Sequence, residues 1–259
     1  MATERKFFGV SALLFAASTA VTIAWCGSMP ATCDLPMPGG WTLSMAWMRM
    51  PGQSWLAAAA SFLGMWVVMM VAMMLPSLVP MLRRYRQAVG GTRVPSLGWR
   101  TALVGAGYFL VWAGFGLAAF PLGTALTTLA MDDPAVARAV PVAVGVVVLL
   151  AGTLQLTAWK VRHLACCREA PGPGRTLPAD SGTAWRHGLR LGLYCVGCSG
   201  GLMTILLVLG VMDLRAMALV AVAIAVERLV PAGERAARAI GVIVVGAGLF
   251  LVAHAAGLA

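Results

Sequence analysis

The chain predicts an all-α, polytopic transmembrane bundle of about seven helices, and three observations lead there. Apolar residues make up 60% of the 259 positions and charged residues only 11%, with a mean hydropathy of +0.87. That is more apolar surface than one soluble core can cover. The apolar residues also fall into runs of bilayer length, about 17 to 25 residues each, and the basic residues alternate between the loops that join those runs.

Taken in order, the runs lie near 7–25, 55–80, 99–121, 139–159, 189–211, 214–229 and 238–257, the sixth being short. The first follows Arg5-Lys6, so a cleaved signal peptide competes with a retained helix. Retention is the expectation, and removal would leave six crossings. An outer loop, 26–54, holds Cys26, Cys33, Pro30, Pro36, Pro38, Gly39-Gly40 and the run Met45-Ala46-Trp47-Met48-Arg49-Met50. The basic segment at 82–100 reads as irregular loop. The inner loop 160–188 carries His163, Cys166, Cys167 and the breaker-rich Pro171-Gly172-Pro173-Gly174. Met212 to Arg215 is so short that the spans on either side must form a hairpin. No repeat or linker divides the chain, so 1–259 is expected to be a single membrane domain.

The formal charge of +10 would point to nucleic acid in a soluble protein. Here 16 of the 19 Lys and Arg fall in 1–6, 81–100, 160–190 and 228–238, leaving Arg49, Arg138 and Arg215 for the other loops. This is the positive-inside pattern. It predicts a multi-pass protein of the bacterial inner membrane with its N-terminus in the cytoplasm and, after seven crossings, its C-terminus outside. The bilayer is thus the expected partner, and nucleic acid is not.

Sulfur carries the chemical signal. The second span reads Met65-Trp66-Val67-Val68-Met69-Met70-Val71-Ala72-Met73-Met74-Leu75-Pro76. At about 100° per residue, Met65, Met69 and Met73 form one stripe, and Met70, Met74 and Met81 lie further round the helix. Thioethers are soft and neutral, suit Cu(I), and survive where thiols are oxidised. Met45, Met48 and Met50 outside fit that role. Methionine also fills irregular gaps between helices.

Cys195-Val196-Gly197-Cys198 sets two cysteines about 60° apart on one face of the fifth span, with Met203 on the same side. The C-x-x-C spacing is shared by metal sites and dithiol redox motifs. Counted in turns, these cysteines lie at the depth of Met73 and Met74, so a sulfur site between the second and fifth spans is expected. His163, Cys166 and Cys167 offer an imidazole and two thiols within five residues. Cys26 and Cys33 could form a disulfide or serve as ligands beside Met29 and Met37.

Strongly polar groups inside spans are functional candidates by default, and Gln155 and Glu227 are the two singled out. No Ser/His/Asp arrangement, zinc-protease helix or phosphate-binding glycine loop occurs, so no catalytic residue is assigned and nucleotide-driven transport has no support. A retinal protein needs a lysine in the last helix, but the only lysines are Lys6 and Lys160.

The segments at 65–80, 151–160 and 192–198, with Gly210-Val211-Met212-Asp213-Leu214 and Glu227-Arg228, together resemble a bacterial family of uncharacterised integral membrane proteins predicted to bind metal. The resemblance covers roughly 55–250. It implies functional roles for Met69, Met73, Met74, Pro76, Gln155, Lys160, Cys167, Cys195, Cys198, Met203, Met212 and Glu227. Ser199 and His163 stand where that family usually has cysteine. The combined expectation is a protein that binds a soft metal, foremost Cu(I), through Met and Cys, and exchanges it with a donor or acceptor protein. A thiol–disulfide carrier using Cys195 and Cys198 is the alternative, and a structural subunit the third reading.

Overall fold

The computed structural model describes residues 2–28, 35–37, 41–43, 47–49, 52–90, 96–172 and 174–257. The fold is all-α apart from one small hairpin. In chain order come α1 (Ala2–Ser28), β1 (Leu35–Met37), β2 (Trp41–Leu43), α2 (Trp55–Ala88), α3 (Leu97–Asp132), α4 (Pro134–Gln155), α5 (Ala158–Glu169), α6 (Ser181–Leu209), α7 (Leu214–Leu229) and α8 (Gly233–Ala255). The two strands pair antiparallel, Pro36 opposite Thr42. Among the described residues α1, α2, α3, α4, α6 and α8 are long and apolar enough to cross a membrane. At 16 residues, α7 is one or two residues short of the usual range for a span.

Capping side chains set most helix starts. The hydroxyl of Ser54 and the carboxylates of Asp133, Asp180 and Asp213 each accept a backbone N–H from the first turn of the following helix. Two expectations are corrected here. The first part of the 82–100 segment is helical, because α2 runs on to Ala88 through Pro76 and Pro80. The inner loop likewise contains α5, which starts where the Thr157 side chain accepts the Lys160 N–H. Lys160, Leu164 and Cys167 form its buried face, the i, i+4, i+7 spacing of an amphipathic helix.

Close helix contacts build the scaffold. Between α4 and α8 the pairing is antiparallel: a methyl group added at Gly145 would lie 2.9 Å from the Val252 backbone nitrogen, one at Gly152 2.7 Å from that of Val245, and one at Gly248 2.6 Å from that of Leu149. Small residues that let backbones approach are the usual device for packing helices in lipid. α3 and α6 run side by side, Gly107 against the Trp185 carbonyl and Gly192 against the Tyr108 carbonyl. Gly116 of α3 leaves room for the Trp66 ring of α2. Trp66 of α2 donates its indole N–H to the Trp112 carbonyl of α3 at 2.8 Å. α1 lies antiparallel to α2, with Glu4 3.5 Å from Arg86 and Cys26 beside Met65. Arg83, Arg84, Arg86, Arg168, Arg186 and Arg235 mark one end of the bundle, the basic end.

Candidate metal centre

Three thiols converge near the basic end. Cys195 and Cys198 come from consecutive turns of α6, and Cys167 comes from the buried face of α5. Their sulfur atoms all lie within 4.8 Å of one another, and all three residues are buried. With metal–sulfur bonds of about 2.3 Å, three sulfurs around one ion sit about 4 Å apart, so little closing movement is needed. The donor set is purely soft, which selects Cu(I) or another thiophilic ion over a hard one.

Arg228 organises this centre. Its guanidinium donates through Nη1 to Ser77 at 2.9 Å, Tyr108 at 3.2 Å and the Cys195 sulfur at 3.3 Å. Through Nη2 it donates to the Met81 sulfur at 2.9 Å and the Cys167 sulfur at 3.0 Å. Tyr108 and Cys195 share a further contact of 2.9 Å. The arginine is only 3% exposed, and its Nε has no hydrogen-bond partner among the described residues. A guanidinium facing sulfur, with a donor unused, supplies the positive charge that an anionic copper–thiolate group would need in a buried setting.

Beside the thiols lies a second polar group. Glu227 is 1% exposed, forms an ion pair with Lys160 at 2.5 Å, and accepts from Gln155 at 2.7 Å. Lys160 also donates to the carbonyl of Cys198, tying the pair to the backbone of the thiol cluster. Arg168 donates to the carbonyls of Glu227, Val230 and Pro231, satisfying the end of α7 and holding it on α5.

The residues singled out by sequence thus separate by location. Cys167, Cys195 and Cys198 come together, and Gln155, Lys160 and Glu227 form the adjoining network. Met69, Met73, Met74 and Met203 are buried in the core, but the α2 methionine that reaches the Arg228 guanidinium is Met81. Met69 lines a pocket nearer the opposite end, beside Cys26. His163 packs its ring on Trp159, centroids 4.0 Å apart, and its Nδ1 lies 2.9 Å from the Trp159 carbonyl. That arrangement sets it against Gly197, on the face of α6 turned away from the thiols. Cys166 is half-buried. Met48 is half-buried, while Met29, Met45, Met50 and Cys33 lie outside the described residues, so the outer-loop site and the Cys26–Cys33 pairing do too.

Sequence reasoning passed over Arg228, Tyr108, Ser77 and Met81 as members of the site. By sequence Arg228 reads as part of the basic inner loop, yet it is the last but one residue of α7 and buried. The rule that flagged Glu227 applies equally to the charged residue that follows it.

The family model for PpoB2, described as a copper chaperone, matches residues 63–251. The chain belongs to this copper chaperone family. The match spans α2 to α8 and includes every residue of the thiol cluster and its polar surround, and it agrees with the expected metal role. No curated protein and no solved structure matches the chain.

Proposed function

We propose that this PpoB2-family chain is a multi-pass membrane protein that takes Cu(I) as cargo on Cys167, Cys195 and Cys198 and passes it to or from a partner protein. The observation that carries the reading is the convergence of three buried thiols from two helices within 4.8 Å. Arg228 balances charge, and Met81 offers an adjacent thioether. The positive-inside pattern puts the basic end, and so the thiol centre, toward the cytoplasm of a bacterial inner membrane. α7 then completes seven crossings in one domain and the C-terminus lies outside. Met45, Met48 and Met50 would meet copper on the outer side.

The thiol–disulfide carrier reading draws on the same three sulfurs. It is less well supported, because exchange requires an attacking thiolate to reach the target sulfur, and all three thiols are buried.

The test is copper loading of the detergent-solubilised protein under anaerobic, reducing conditions, with metal quantified by elemental mass spectrometry. Cys167→Ser/Cys195→Ser/Cys198→Ser should lose one copper equivalent relative to wild type and the copper–thiolate absorption in the near ultraviolet. Arg228→Lys replaces a planar fork by a point charge and should retain that equivalent with affinity about tenfold weaker, or about 1.4 kcal/mol. Wild-type protein with no thiolate-bound copper, or a triple variant that loads like wild type, sinks the proposal.

A further inference from the structure

A second sulfur-lined pocket lies away from the basic end. It is bounded by Thr22, Trp25 and Cys26 of α1, Met65 and Met69 of α2, Met212 in the turn after α6, and Met217 of α7. Five of those seven residues carry sulfur. Cys26 lies 3.9 Å from the Met212 sulfur. The Thr22 hydroxyl donates to the Ser18 carbonyl at 2.8 Å, and among the described residues no carboxylate or imidazole lines the pocket.

We infer that this pocket is a second soft-metal site, at which a monovalent thiophilic cation, Cu(I) or its analogue Ag(I), is held by the thioethers of Met65, Met69, Met212 and Met217 with Cys26. With four thioethers and a thiol against a single neutral hydroxyl, the donor set suits a soft ion and not Mg²⁺ or Ca²⁺, which take six or more oxygens. Methionine serving only as filler closes gaps, because the side chain is flexible enough to occupy them. Here methionines from three segments, with Cys26 from a fourth, instead surround a cavity of about 10 Å³, roughly room for one water-sized guest. Met65, Met69 and Met217 are buried, whereas Cys26 and Met212 are half-exposed, so the pocket is approached past those two.

Position adds to the argument. Met65, Met69, Met73, Ser77 and Met81 follow one another at four-residue intervals, a single ridge of α2. Its first two members line this pocket and its last two accept from Arg228 at the thiol centre. Sixteen residues of helix separate the ends by about 24 Å. The ridge therefore links two separate sulfur sites through Met73.

The site shares no residue with the thiol centre, so the two can be tested apart. In the Cys167→Ser/Cys195→Ser/Cys198→Ser background, full-length protein is titrated with Cu(I) against a chromogenic Cu(I) chelator, and separately with Ag(I). One bound equivalent is expected, with metal–sulfur scattering in X-ray absorption. Adding Met65→Leu/Met69→Leu/Met212→Leu/Met217→Leu should weaken it at least tenfold while the same four changes in the wild-type background leave the thiol equivalent in place. If the fourfold variant does not fold, Met212→Leu/Met217→Leu alone is compared, with the same direction expected. Binding unchanged by either set of substitutions, or none in the thiol-free background, overturns the inference. A triple thiol variant that still binds both equivalents would instead count against the proposed thiol centre and leave this site standing.

Discussion

The seam between α4 and α8 and the cluster joining α5, α6 and α7 are both buried, yet they are held by opposite means. Among the described residues no charged side chain is buried along the seam, and Gly145, Gly152 and Gly248 bring the backbones so close that a single methyl would collide. In the cluster, Lys160, Glu227 and Arg228 are all at most 3% exposed. A seam of that kind gains dispersion and loses nothing to desolvation. The cluster carries the cost of burying three charges, and an apolar core would have been cheaper. Packing alone accounts for the seam, and it does not account for three buried charges in the cluster.

The strongest way to break the contrast is to remove one partner of the buried pair. Glu227→Ala leaves Lys160 with the Cys198 carbonyl but no counter-charge, and the Gln155 amide without its acceptor. The expected destabilisation is about 3–5 kcal/mol, measured by thermal or denaturant unfolding in detergent. Lys160→Met/Glu227→Leu should recover most of that loss, since replacing both charges by apolar groups is often neutral. It should still weaken copper binding, because the Lys160 bond to the Cys198 carbonyl is gone. A double variant as unstable as Glu227→Ala would mean that the pair is not the source of the cost.

Gly248→Ala tests the other side. The added methyl would lie 2.6 Å from the Leu149 backbone nitrogen, and neither backbone can yield cheaply. About 1–3 kcal/mol of stability should be lost, with copper stoichiometry unchanged in the folded fraction. If copper binding fell in proportion instead, seam and cluster would be energetically one unit.

How much of this could be read in the sequence follows from the same contrast. Composition and run length determine which segments are helices, since bilayer-length apolar runs admit few other structures, and so the spans were legible. Cys195 and Cys198 were legible because a three-residue spacing fixes their shared face. Cys167 was visible as a candidate, but its orientation depends on α5, a 12-residue helix of mixed character that reads as loop. Arg228 was hidden for a different reason: a basic residue at the inner end of an apolar run looks like a topology signal. Only three-dimensional contacts with Ser77 and Tyr108, distant in sequence, show that it turns inward. The α4–α8 seam was missed because glycine in a span does not announce its partner.

The smallest expected effect sharpens the boundary of the cluster rather than its centre. Asp180 begins α6, the helix that carries Cys195 and Cys198, and its carboxylate accepts the Thr183 backbone N–H at 2.7 Å. That bond, with help from the Thr183 hydroxyl, holds the Asp180 carboxyl below the usual carboxylate value. A depressed folded-state value means the cap stabilises fully above the unfolded value of about 3.9 and is lost as pH falls through the lower folded value. Asp180→Ala should therefore lower the unfolding midpoint slightly at pH 6, and the gap to wild type should close on acidification below pH 4. Asp180→Asn, which keeps a capping oxygen without the charge, should retain most of the stability and lose the pH dependence. The group is exposed and three turns or more from Cys195, so copper binding at neutral pH should not change in either variant. A change there would mean that the start of α6 moves with the thiols, and the rigid contrast between scaffold and site would have to be redrawn at that helix.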